Sequence, residues 1–111
     1  MRSRGLQLVV AGLIVSSVST DAISASRARQ SSGHMIALRM CAECHAVDRR
    51  RARSPNHDAP TFRVIANSRV TDADDLSVEI RRKHLTMPLF DLKDEELGDV
   101  IAYILSLRRV R

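Results

Sequence analysis

A chain of 111 residues has room for one small domain, because a second hydrophobic core could not form beside the first at this length. Its 18 basic and 13 acidic residues leave a formal charge of +5, a modest excess that does not imply a nucleic-acid partner. Aromatic residues make up 3% of the chain, namely Phe62, Phe90 and Tyr103, which leaves any core built from side chains alone short of bulk.

The chain opens like an export signal. Arg2 and Arg4 supply a positive end, and Leu6 to Val18 form a 13-residue apolar stretch. That stretch stops short of the about 20 apolar residues a membrane-spanning helix requires, so it reads as a leader and not an anchor. Thr20 and Ala22 occupy the small-residue positions before a cleavage point, with Ala25 as an alternative end. Residues 1–22 are therefore expected to be a signal peptide, and no stable membrane insertion is expected once it is removed. Its loss takes away Arg2, Arg4 and Asp21, leaving 16 basic and 12 acidic residues and a charge of +4. Residues 23–32 are small and polar without sustained periodicity and read as a flexible mature terminus, followed by one domain over 33–111.

From Gly33 the pattern turns helical, with Ile36 and Met40 four residues apart and Ala37 and Cys44 near the same face. This helix delivers the run Cys41-Ala-Glu-Cys44-His45. Two thiols at this spacing can bond two vinyl groups on one edge of a haem, while the adjacent imidazole, kept neutral, donates to the iron. Three other chemistries use similar residues. A zinc site would lack a third cysteine and need His57 or His84 across long loops. A redox dithiol belongs at a strand-to-helix junction, and a structural disulfide makes no use of the histidine. Haem attachment accounts for all three side chains, and a flat macrocycle would also supply the bulk the aromatics do not.

Asp48 to Pro60 is charged and closed by two prolines, as in a surface loop, and its Arg49, Arg50, Arg51 and Arg53 read as a solvated run that could also meet an acidic partner. Thr61 can cap a helix of about two turns with Phe62, Ile65 and Ala66 inward. A further helix is expected after Thr71, with Asp74 completing a capping-box variant and Leu76 and Ile80 facing one way as far as Leu85. The strongest pattern is the last: Leu97, Val100, Ile101, Ile104 and Leu105 form one apolar stripe. Asp94, Glu95 and Glu96 precede it and Arg108, Arg109 and Arg111 follow, as the helix dipole favours. Without period-two alternation or repeats, the expected class is all-α, with three to five short helices.

A second axial ligand has four methionines to draw on. Met1 leaves with the leader, Met40 adjoins Cys41, and Met35 is expected in the core of the first helix. Met87, before Pro88, remains, although by position alone it serves equally well as a core filler. His34, His57 and His84 are spare imidazoles that could replace it.

Four blocks in order resemble the small bacterial class I, single-haem cytochromes c: Gly33 to Val47, Ala59-Pro60-Thr-Phe62, His84-Leu-Thr-Met87-Pro88, and Asp99 to Leu107. The resemblance implies a class I cytochrome c fold around one covalent haem c, with the first helix crossing the last near Gly33 and Tyr103. It also implies axial ligation of the iron by His45 and Met87, and a hydrogen bond from the free ring nitrogen of His45 to the carbonyl of Pro60. Two departures are Ala37, where many relatives keep an aromatic, and Lys93, where a capping serine or threonine is common. The implied function is soluble one-electron transfer, not enzymatic catalysis, by a monomer in the bacterial periplasm that meets redox partner proteins. The alternatives are a haem protein with a labile or open distal site, or a cytochrome subunit docked to a dehydrogenase or oxidase.

Overall fold

Four helices order the described residues, 20–69, 71–83 and 86–110 of this computed structural model: α1 (Thr20–Met40), α2 (Phe62–Ala66), α3 (Ala73–Arg81) and α4 (Asp94–Ser106). The class is all-α, as the periodicity implied, and no strand occurs among the described residues.

Helix α4 forms where its pattern was strongest. Leu97, Val100, Ile101 and Ile104 are buried along one stripe, and Tyr103 joins them. Lys93 cannot accept a hydrogen bond as a serine would, yet the start is closed from the other side, because the Glu96 carboxylate accepts from the Lys93 N–H at 3.0 Å. Helix α2 is capped as expected by the Thr61 hydroxyl, which accepts from Val64 N at 3.2 Å, and it buries Phe62 and Ala66. Both α2 and α3 pack against α4.

The structure corrects the sequence reading at three points. The cap of α3 is Asp72 and not Thr71: its carboxylate accepts from Asp75 N at 2.9 Å while the Asp75 carboxylate accepts from Asp72 N, a reciprocal pair one residue later than expected. The helix ends at Arg81, where Arg82 takes up an extended backbone; Leu85, the expected end, lies outside the described residues. Met35 is 52% exposed and not a core residue, because the stripe turned inward is Gly33, Ile36 and Ala37, and a residue at 35 falls on the other side of the helix.

The third correction concerns residues 23–32, which are helical. Helix α1 begins at Thr20, and no proline or glycine interrupts it before Gly33, so a helix anchored by its packed end extends backward at little cost. One contact rewards the extension: the Arg29 guanidinium donates to the buried Asp99 carboxylate on α4, Nε to Oδ1 3.2 Å. The expected leader falls mostly outside the described residues, and cleavage after Ala22 or Ala25 would fall in the first turns of α1.

One turn beyond Arg29, α1 crosses α4. A Cβ built on Gly33 would overlap the backbone carbonyl of Asp99 and lie 2.9 Å from Val100 N, so the two backbones meet with no room for a side chain. The obstruction is backbone and cannot swing aside. Gly33→Val is therefore expected to cost about 3 kcal/mol or more, the upper end of overpacking penalties, read as a lowered urea midpoint of the intact protein.

Candidate functional site

The C-terminus of α1 runs directly into the cysteine pair. Cys41 N donates to Ala37 O at 2.9 Å and His45 N to Cys41 O at 2.8 Å, so the five-residue run coils as a tight turn continuing the helix. That turn keeps Cys41, Cys44 and His45 on one short stretch of wall, all half-buried. Both thiols are free.

The segment after the turn is tied back to this frame by its own backbone. Asn56 N donates to Cys44 O at 3.1 Å, and Phe62 N donates to Ala46 O at 3.0 Å. Ala46 N donates to the Ser54 hydroxyl at 3.0 Å. These bonds fold the loop so that Pro60 comes against the imidazole of His45, with Nδ1 and the Pro60 carbonyl oxygen 2.7 Å apart. A carbonyl only accepts, so Nδ1 carries the proton, and Nε2 of the neutral ring keeps its lone pair.

Beside these residues lies an apolar cavity of about 610 Å³, continuing into a second of about 300 Å³. Cys41, His45, Pro60 and Met87 line both, together with Met40 and Phe90, and Cys44 lines the smaller. Ile65, Leu76, Ile80, Leu92, Val100 and Ile104 supply much of the larger wall. All five residues singled out in the sequence thus share one cleft. Met40 and Phe90 were not among them; Phe90, an aromatic two residues past the Met-Pro pair, was the available signal.

This donor set fits a covalent haem. An open apolar slot in the middle of a small core, two free thiols on its wall, an imidazole with a free lone pair and a thioether are what the group requires. The same observations weigh against the rival chemistries. Burial pushes the Cys41 thiol up to about 11, far from the lowered values of redox-active thiols. Among the described residues, no three His, Cys, Asp or Glu side chains converge to hold a bare metal ion.

Neither of the described spare histidines, His34 and His57, lines the cavities. His34 lies 4.6 Å, ring to ring, from Tyr103 and meets the Asp48 carboxylate at 2.7 Å. His57 is exposed beside Asp58. His84 lies outside the described residues. Of the arginine run, Arg49 reaches the carbonyl of Ser106 at 2.8 Å and helps fasten the loop to the end of α4.

Comparisons with known proteins agree with this geometry. The family model for cytochrome c matches residues 31–108. A cytochrome c-552 from Bradyrhizobium diazoefficiens is 36% identical over 105 residues, covering 95% of this chain and 94% of the relative. No solved structure matches the chain significantly.

The buried Tyr103 hydroxyl donates to Val47 O at 2.7 Å and so pins the strand of chain leaving His45 to α4. Burial, then the nearby Asp48, raises its pKa above 10.0, with Arg49 opposing, so it stays protonated and donating at neutral pH. Its contribution is complete below the ordinary value and lost only as pH climbs through the higher folded one. Tyr103→Phe should therefore cost about 1–3 kcal/mol, the penalty of an orphaned carbonyl, and by the same amount from about pH 6 to about pH 9 in urea titrations.

Proposed function

The chain belongs to the cytochrome c family, as a small single-haem class I member with a covalently attached c-type haem, and on that premise we propose that it is a soluble one-electron carrier whose iron is held by His45 and Met87. The haem, when bound, supplies an iron that gains or loses a single electron without exchanging atoms.

The observation that carries this reading is the 2.7 Å contact between His45 Nδ1 and the Pro60 carbonyl. It selects the tautomer with Nε2 unprotonated and restrains the ring, which is how a metal-bound histidine is oriented and made a better donor. Cys41 and Cys44 are assigned the two thioether bonds. Met87 is assigned the second axial position: it lines both cavities with His45, it is followed by the stiffening Pro88, and a soft thioether favours the reduced iron. Filling both axial positions from the protein leaves no site for substrate, so a carrier role follows and an enzymatic one does not.

Export follows from the same chemistry. The charged start and apolar stretch before Thr20 are read as a signal peptide, and the protein as periplasmic. No helix among the described residues is long and apolar enough to cross a membrane. The working form is taken to be a monomer that meets its redox partners transiently.

Two measurements test the assignment. A haem stain should persist on a denaturing gel for the wild type and be lost in the Cys41→Ala/Cys44→Ala variant. In Met87→Ala, the weak near-infrared sulfur-to-iron band should vanish and the midpoint potential fall by on the order of 100 mV, a fraction of the roughly 0.8 V that axial ligands span. Ready binding of carbon monoxide by the wild type would instead favour the open-site reading.

A further inference from the structure

Among the described residues, every acid or base other than histidine that lines the two cavities is acidic: Glu43, Asp58, Asp74, Asp75 and Glu79. All five are also exposed, so they stand at the rim where the cleft meets solvent. No described arginine or lysine lines either cavity. Arg82 is bonded to Glu79 and His57 lies against Asp58, and Glu43, Asp74 and Asp75 complete the acidic rim.

Arg49, Arg50, Arg51 and Arg53 are exposed together on the loop after the haem motif and line neither cavity. Arg49 ties that loop to Ser106 O at the end of α4, while Arg108 bonds the carbonyl of Thr71 beside the larger cavity. Around the cleft, apolar side chains lie open between the carboxylates: Val78 is 60% exposed and lines the larger cavity, and Leu89 is 62% exposed between Pro88 and Phe90.

We propose that the mouth of the haem cleft is the docking surface for a redox partner whose own electron-transfer face is basic, with lysines or arginines ringing an apolar centre. The proposal rests on the carrier reading above. An apolar centre with a charged rim is what a small transient interface needs: contact at the middle, and orientation and sign selectivity at the edge. The net positive charge does not contradict it. At physiological salt charges are screened beyond about 8 Å, so a partner in contact with the cleft responds chiefly to the carboxylates at its rim.

The test is voltammetry of the intact holoprotein adsorbed on gold coated with either amine-terminated or carboxylate-terminated monolayers of equal thickness. The amine surface should seat the acidic mouth against the electrode, and the carboxylate surface should seat the arginine loop. Electron exchange is expected to be at least about tenfold faster on the amine surface and to slow as salt is raised. The triple variant Glu43→Gln/Asp58→Asn/Asp74→Asn should lose that advantage with its spectrum and midpoint potential unchanged, while Arg50→Gln/Arg51→Gln/Arg53→Gln should keep it. Equal rates on the two surfaces, faster exchange on carboxylate, or an indifferent triple variant would overturn the docking inference while leaving the carrier reading intact. Absence of a reversible wave on either surface and in solution would overturn the carrier reading and this inference with it.

Discussion

The structure depends on one close approach, the crossing of α1 over α4 at Gly33. Only a residue without a side chain lets the backbone of one helix rest on the Asp99 carbonyl and Val100 amide of the other. That contact sets the depth at which Ile36 and Ala37 enter the core and the direction in which α1 runs out toward Cys41. Arg29, one turn earlier, pairs with the side chain of the same Asp99 whose carbonyl Gly33 touches, so a single residue of α4 holds α1 by both main chain and side chain.

The loop after His45 is then fastened to the crossed pair from several directions. Tyr103 and the carbonyl of Ser106 anchor it from α4, His34 anchors it from α1, and its own backbone bonds close it onto Cys44 and Ala46. None of these bonds is strong by itself, at about 1 kcal/mol net for a neutral pair. Together they leave Pro60 little freedom, and the orientation of His45 is the product. The small side chain of Ala37, fully buried, sits within this arrangement without the aromatic that many relatives carry there; the ring contacts of Tyr103 with His34 and Phe62 supply aromatic packing nearby.

The composition also has a physical explanation. Three aromatics and many small aliphatic residues do not fill the centre of the fold, and a large apolar slot results, bordered by Phe62 and Phe90. A covalent haem turns that deficit into a core, since a bound group adds its affinity to the stability of the folded state. Carboxylates stand at the rim of that slot, whereas the arginine run, the most conspicuous charge feature of the sequence, lines neither cavity.

The sequence by itself determined what is local or chemically unambiguous. The α4 stripe, the Thr61 cap and the Cys-x-x-Cys-His run were legible because helical periodicity, capping and thioether spacing act within a few residues. The cap of α3 was misread by one residue because Thr71 and Asp72 are both competent, and only backbone geometry chooses between them. The length of α1 was missed because its outer turns carry no apolar pattern; what rewards them is a pairing between Arg29 and Asp99, 70 residues apart. Which charges line the cleft was equally invisible. Charge counts along a chain carry no direction, and only the folding of distant segments around one cleft decides which charges stand at its mouth.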